Sequence, residues 1–160
     1  MIVVADSSPL HYLILVDRID LLHRLYGHVF VPDAVVAELQ SARSPAMVSA
    51  WMEHPPVWAT IAPVSPEQIA TVTQDLDLGE RAAIALAGAI HADLLLIDDA
   101  AGRAEARRRH LRVTGTLGVL RAGAERGIVD VPVVLSRLKA TSFYADEALI
   151  NTIFARWLST

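Results

Sequence analysis

Two adjacent aspartates, Asp98 and Asp99, follow four apolar residues in the stretch LLLIDD. The apolar run predicts a buried strand, and Asp98 stands where that strand would end. A carboxylate at the end of a buried strand indicates a functional site. Asp99 has a second interpretation, as the N-cap of the helix that follows.

Three further acids occupy comparable positions. Asp6 ends the first candidate strand, Glu38 lies just over one turn into a helix, and Glu80 lies at the start of an alanine-rich helix. If these elements pack as a parallel sheet requires, the three acids converge with Asp98, and Asp99 is a fifth contributor. In open α/β sheets the site lies beyond the carboxyl ends of the strands, which is where Asp6 and Asp98 stand.

Each of these acids also has a structural interpretation. Asp6 could cap the turn before Pro9, and Glu38 could be an ordinary solvated helix residue. Asp77 and Glu80 are spaced as in a capping box, in which two residues three apart satisfy each other's backbone N–H groups. The set, in this order on these elements, is more specific than any one member.

A cluster of carboxylates needs a cation. Two unit charges about 4 Å apart repel by about 4 kcal/mol at an effective dielectric of 20, so four carboxylates would be forced to take up protons. All-oxygen ligation suits Mg²⁺ or Mn²⁺. Carboxylate-held pairs of such ions typically activate a water and stabilise a leaving oxygen in phosphodiester hydrolysis.

The elements that must position these acids alternate along the chain. Candidate strands precede Asp6, Asp33 and Asp98, another lies in VWATIA, and a fifth lies in LRVTG; helices separate most of them. This order predicts an α/β fold with a parallel sheet covered on both faces. The first helix is predicted to begin with Ser8 as N-cap and Pro9 at its first position. Two or three helices are predicted to end the chain, the last over about 145–158.

Composition narrows the class of protein. The 160 residues are 53% hydrophobic, contain no cysteine and carry a net charge of −4. No apolar run reaches the roughly 18 residues of a membrane span, and the first residues lack the basic region of a signal peptide. These features predict a cytoplasmic protein without a membrane partner. Residues 1–100 carry a net −9 and residues 101–160 a net +5, which indicates an acidic site beside a basic surface.

The basic surface begins directly after the aspartates, in GRAEARRRHLR. Arg103 and Arg107 share one helix face, and Arg108 and Arg109 broaden the charge. They could neutralise RNA phosphates or form an ordinary solvated face. Ser7 and Thr116 could hydrogen-bond a ligand or a phosphate; a structural turn role is an equal alternative.

The motifs resemble the PIN-domain ribonucleases, in particular the VapC-type toxins of toxin–antitoxin pairs. VVADSSPL resembles the first strand of that family with its leading Asp, and VPDAVVAEL resembles the second motif. LGERAAIALAGAIHADLLLIDD resembles the third and fourth motifs together. RVTGTLGVLRAGAERGIV and VVLSRLKATSFYADEALINTIF resemble the last strand and the C-terminal helices of one PIN subgroup, so the likeness covers nearly the whole chain.

The resemblance implies a single PIN-like domain over 1–160, with a core at 1–130 carrying the acidic site and C-terminal helices at 131–160. It implies a three-layer fold and an endoribonuclease that needs Mg²⁺ or Mn²⁺ and leaves a 5′-phosphate and a 3′-hydroxyl. It also implies a homodimer silenced by a cognate antitoxin. Carried over residue by residue, the resemblance makes four acids catalytic and metal-binding, with Asp99 as a supplementary ligand. These four are Asp6, Glu38, Glu80 and Asp98.

The chain departs from the family pattern at one acidic position, and the sequence leaves three alternative functions. Many relatives have Asp at the third acidic position, where this chain has Glu80, so a PIN-fold binding module with weak or no catalysis is the first alternative. A nuclease acting on DNA or structured RNA is the second. A phosphoryl-accepting receiver domain is the third, but it needs a lysine near the acids, and the single lysine is Lys139.

Overall fold

Five parallel strands form one sheet in the computed structural model of the chain, which describes residues 1–159. The strands lie in the order β3-β2-β1-β4-β5, and every neighbouring pair is parallel. Helices flank the sheet on both faces, so the predicted α/β three-layer fold is confirmed. The strand bounds are β1 Val3–Ala5, β2 Val29–Pro32, β3 Ala59–Ala62, β4 Leu94–Leu96 and β5 Val113–Thr114.

Eleven helices connect and follow the strands within residues 1–159. Six lie before β4: α1 Ser7–Leu15, α2 Asp20–Tyr26, α3 Asp33–Leu39, α4 Ala46–Glu53, α5 Pro66–Ala70 and α6 Leu78–Ala89. Five lie after it: α7 Ala100–Arg108, α8 Thr116–Glu125, α9 Val131–Lys139, α10 Glu147–Ile153 and α11 Ala155–Leu158. No helix within this described part is both long and apolar enough to cross a bilayer.

Alternate residues of the three central strands, β2, β1 and β4, enter two separate hydrophobic cores. Val3 and Ala5 of β1 pack with α1, α2, α4 and the helices from α8 onward. Val4, between them, packs with the alanine-rich helix α6 and with Ala106 of α7. Because side chains of a strand point to opposite faces in turn, both faces of β1 are covered, which explains why its burial is continuous.

The site lies between β1 and β4, where the chain changes the side of the sheet on which it adds strands. From β1 the chain adds β2 and β3 on one side of the sheet and then β4 and β5 on the other. Ala5 pairs with Leu96, and the backbone N–H of Asp6 donates to the Leu96 carbonyl at 2.9 Å. The ends of β1 and β4 therefore open into one crevice, the usual ligand position of such sheets.

The helix predictions were wrong at three places. Helix α1 begins at Ser7 with Asp6 as its extended N-cap residue; Pro9 still falls in the first turn, where a missing N–H breaks no helical bond. Helices α4 and α5 were not predicted. Four helices, rather than two or three, follow β5, because the predicted last helix is divided at Phe154 into α10 and α11. The apolar stripe continues through that break, so periodicity alone does not reveal it.

Candidate active site

Asp6 is the most deeply buried carboxylate of the site. It lies between the end of β1 and the start of α1, and only 2% of its surface is exposed. Its Oδ1 atom is buried and has no hydrogen-bond partner. Buried polar atoms nearly always have a partner, because an unsatisfied one costs about 1–3 kcal/mol. An unsatisfied carboxylate oxygen at this place is what a missing cation would leave.

Gly79 marks the point where the acids converge. A side-chain carbon added at Gly79 would lie 2.6 Å from Oε2 of Glu38, 3.6 Å from Oδ1 of Asp6 and 3.7 Å from Oδ1 of Asp77. Three carboxylate oxygens from β1, α3 and the turn before α6 therefore surround one small space. Glycine is required here because any side chain would occupy that space. We call Asp6, Glu38, Asp77 and Glu80 the acid cluster.

The capping box predicted at the start of α6 is confirmed. Asp77 Oδ1 accepts from the Glu80 N–H at 2.8 Å, and Glu80 Oε2 accepts from the Asp77 N–H at 3.2 Å. The box places the Glu80 carboxylate beside Asp6, so the structural and functional interpretations of Glu80 are compatible. Asp77 itself was not predicted as a site residue; its position two residues before Gly79 is the sequence signal that could have indicated it.

The carboxylates of the cluster hold their protons more tightly than usual. Burial, together with the charges of Glu80, Asp77 and Glu38, raises the pKa of Asp6 to about 8, against the opposing effect of the Ser7 backbone N–H. Burial, then the Asp77 charge, raises the pKa of Glu80 to about 7. Burial also raises the pKa of Glu38, and a hydrogen bond from the Ser7 side chain opposes that rise. Without a cation the cluster is thus partly protonated near neutral pH.

Asp98 follows β4, and its carboxylate is hydrogen-bonded to Thr116 at the start of α8. Its two oxygens accept from the Thr116 N–H at 2.7 Å and from the Thr116 hydroxyl at 2.6 Å. Burial raises the pKa of Asp98, while these bonds and the nearby charge of Arg103 lower it. The structure therefore brings three of the four predicted acids, Asp6, Glu38 and Glu80, together and holds the fourth, Asp98, on Thr116.

Asp99 has the N-cap position that its sequence context predicts. Its Oδ2 accepts from the Gly102 N–H at 2.8 Å, at the first turn of α7. The Asp99 charge also contributes to the raised pKa of Glu80, so this carboxylate lies on the border of the acid cluster.

The bonds between Thr116 and Asp98 predict a measurable loss of stability. Thr116 is fully buried at the start of α8. Replacing it by valine, Thr116→Val, removes the hydroxyl donor to a buried carboxylate, and we expect the free energy of unfolding in urea to fall by about 1–3 kcal/mol. Thr116→Ser keeps the hydroxyl and should lose less than half as much. Equal losses in the two variants would contradict a stabilising role of this bond.

The predicted substrate-binding residues have different surroundings in the structure. Ser7 lines a cavity together with Glu38 of the acid cluster, whereas Thr116 is engaged with Asp98. Arg103 and Arg107 line a cavity beside Asp98. Arg108 and Arg109 instead pair with Glu105 of the same helix, and Arg109 also donates to the Thr71 carbonyl at 2.5 Å.

The acid cluster has the chemistry of a divalent-metal site. Within residues 1–159, no three acidic or histidine side chains stand in an arrangement that already encloses an ion. The unpartnered Oδ1 of Asp6 nevertheless fits one, since carboxylate oxygens of Glu38 and Asp77 lie around the same small space at Gly79. An all-carboxylate donor set of this kind suits Mg²⁺ or Mn²⁺.

Comparison with known proteins identifies the family. The model of the family DUF3368, described as a PIN domain, matches residues 2–159. Comparison with the curated proteins gives no match. PIN domains are usually metal-dependent nucleases, and acids at the carboxyl end of a small parallel sheet agree with that chemistry. Because the match spans almost the whole chain, the protein belongs to the PIN-domain family.

Proposed function

We propose that the protein is a divalent-metal-dependent endoribonuclease whose active site is the acid cluster. One observation carries the proposal: the buried, unpartnered Oδ1 of Asp6 shares the space at Gly79 with carboxylate oxygens of Glu38 and Asp77. Such an arrangement is costly unless a cation neutralises it. Membership of a family of usually metal-dependent nucleases adds independent support.

The residues of the cluster have distinct proposed roles. Asp6 and Glu38 would hold an Mg²⁺ or Mn²⁺ ion, with Asp77 beside them. When bound, such an ion lowers the pKa of a water and stabilises the leaving oxygen. Glu80, whose carboxylate belongs to the acid cluster, would take the proton of the attacking water. Asp98, as a further ligand, would leave its bonds to Thr116.

RNA is the proposed substrate because the motifs resemble those of ribonucleases, and a basic surface beside Asp98 would bind the phosphates. Arg103 and Arg107 line the cavity that also includes Asp98, and arginine is well suited to phosphate recognition. The pairs that Glu105 makes with Arg108 and Arg109 leave these two less available for RNA. The proposed RNA contacts therefore centre on Arg103 and Arg107.

We propose that the nuclease is the toxin of a type II toxin–antitoxin pair, resembling the VapC-type toxins. The support is the likeness of the four acidic motifs and of the C-terminal helices. A cognate antitoxin that covers the acids and a homodimeric state are part of this proposal. Expression of the chain alone should arrest growth, and coexpression of the small protein encoded beside it should restore growth.

A PIN-fold binding module with weak or no catalysis is the second candidate, and two observations favour it. One oxygen of Glu80 is engaged in the capping box of α6, and both oxygens of Asp98 are engaged by Thr116. A module of this kind would bind RNA without cutting it, and its binding would not depend on a metal.

Cleavage of a fluorescent single-stranded RNA separates the two candidates. We expect cleavage by the wild type with Mn²⁺ or Mg²⁺, none in excess chelator, products with 5′-phosphate ends, and no cleavage by Asp6→Asn. Glu80→Gln should lower the rate by about 100-fold or more, because it removes the proposed general base. Cleavage of a DNA strand of the same sequence tests whether the protein acts on RNA rather than DNA. RNA binding without cleavage in any of these ions would favour the binding module.

A further inference from the structure

A cavity of about 520 Å³ opens beside Asp98, between helices α7 and α8 and the residues that lead into α10. Its volume lies in the range of small-molecule sites, about 300–1,000 Å³. Its wall combines charged and apolar groups contributed by separate elements of the fold. The residues that matter for its ligand are Asp98, Arg103, Arg107, Arg121, Tyr144 and Leu149.

The charge of the wall favours an anion. Three arginines face one aspartate, and within residues 1–159 no ion pair engages Arg103 or Arg107. Arg121 pairs with Glu125 at 3.1 Å, but its side chain is 49% exposed. A pair so exposed is worth little, so Arg121 can exchange Glu125 for a phosphate at small cost.

The apolar part of the wall favours a flat ring. Tyr144 is 89% exposed and Leu149 is 49% exposed, so both present apolar surface to water at the cavity. The residue before Tyr144 is held in place, because the Phe143 ring packs edge-on against Tyr12 with centroids 5.0 Å apart. Exposed aromatic rings on a fixed backbone are the surfaces on which single-stranded nucleic acids stack their bases.

A nucleotide matches this mixed wall better than an acidic peptide does. One nucleotide carries a single charged phosphate, a neutral sugar and a planar base, and the wall offers arginines, a carboxylate and an exposed ring in the same cavity. The Asp98 carboxylate repels a carboxylate-rich segment, but it can accept a hydrogen bond from a sugar hydroxyl, since it has lone pairs beyond those that Thr116 uses.

We propose that this cavity binds one nucleotide of single-stranded RNA next to the cleavage site, with its base stacked on Tyr144 and its phosphate held by Arg103 and Arg107. The inference rests on the proposed function for the identity of the substrate. It adds the C-terminal segment, which lies far in sequence from the acid cluster, to the substrate site.

Binding without cleavage tests this inference separately from catalysis. The probe is a fluorescein-labelled, mixed-sequence single-stranded RNA of about 12 nucleotides, titrated with the full chain in EDTA and followed by fluorescence anisotropy. Tyr144→Ala should weaken binding about 5- to 100-fold through loss of stacking, and Tyr144→Phe should bind within about twofold of wild type. Arg107→Ala should lower the salt slope by roughly one.

Arg126→Ala is the matched control, because Arg126 lies at the other end of α8 and donates to the Arg24 carbonyl. It removes the same charge and should change affinity less than Arg107→Ala. RNA binding that is equal in the wild type, Tyr144→Ala and Arg107→Ala overturns the inference and leaves the proposed function standing. The inference is also overturned if the wild-type protein binds no RNA but binds a polyglutamate peptide through Tyr144. That result would assign the cavity to a protein partner. Tyr144-dependent RNA binding without cleavage in Mn²⁺ supports the inference and rejects the nuclease.

Discussion

Replacing Asp6 by asparagine should stabilise the metal-free protein relative to the wild type, and this gain should grow as the pH rises. The folded state holds the Asp6 proton up to a pKa of about 8, whereas the unfolded chain releases it near the ordinary value of 3.8. Between these values the folded state binds a proton that the unfolded state lacks, so the stability contributed by protonated Asp6 is lost with rising pH. Asparagine does not titrate and escapes this loss.

Thermal unfolding in chelator measures the effect. We expect the Tm of Asp6→Asn to exceed that of the wild type by about 5 °C or more near pH 8 and by much less near pH 5. Saturating Mn²⁺ should reverse the order, because it stabilises only the protein that binds it, by about 2.7 kcal/mol at a hundredfold excess over the dissociation constant. Glu53→Gln removes an exposed carboxylate at the end of α4 and serves as the control. A Tm difference independent of both pH and Mn²⁺ would contradict the account.

A methyl group at Gly79 should impair metal binding without removing any acid. In Gly79→Ala the added carbon would lie 2.6 Å from Oε2 of Glu38, so the flexible Glu38 side chain must move out of the cluster. We expect the affinity for Mn²⁺ to fall by about 10-fold or more, as for other changes that misplace metal ligands. The stability of the fold should change little, because only the end of one side chain is displaced.

Gly88→Ala is the matched control on the same helix, where an added carbon meets nothing within 4 Å. Alanine there should leave Mn²⁺ affinity unchanged and raise the free energy of unfolding by about 0.5–1 kcal/mol, because glycine is a poor residue inside a helix. Calorimetric titration of both variants makes the comparison. Equal affinity in Gly79→Ala and Gly88→Ala would mean that no ion binds at the space beside Gly79.

The strand ends were predictable because their signals are local. Val3–Ala5 and Leu94–Leu96 are apolar runs that stop at acids, and parallel strands bring such ends to one edge of a sheet. The caps were equally local: Asp99 and the box of Asp77 and Glu80 need only a spacing of three residues. Short-range patterns therefore gave the fold class and the positions of most acids.

The arrangement of the acids depends on contacts between distant segments, which no local pattern contains. Asp98 is bonded to Thr116, eighteen residues away, and a strand-end position does not reveal that partner. Asp77 joins the cluster because α3 packs on α6 and brings Glu38 to Gly79. A carboxylate that caps a helix is ordinary in sequence, so only its distance from Asp6 and Glu38 indicates a second role.

The short helices were missed for a related reason. Helix α5 has five residues and begins with a complete capping box between Ser65 and Gln68. The spacing of the box is visible in the sequence, but only the strand in VWATIA was predicted in this region. Helix α4 has eight residues, of which Val48 and Met52 are buried. Two buried residues one turn apart are too few to define a periodic apolar face in the sequence.

Calorimetric titration of Mn²⁺ into the wild type and Asp6→Asn near pH 8 tests the central claim, that the acid cluster binds a divalent cation, most directly. It needs no knowledge of the RNA and no turnover. The account predicts binding by the wild type and by Glu53→Gln, with binding lost in Asp6→Asn, and a decrease in Asp98→Asn would add Asp98 to the ligands. A folded wild type that binds no Mn²⁺, or binding unchanged in Asp6→Asn, would contradict the metal site and with it the nuclease.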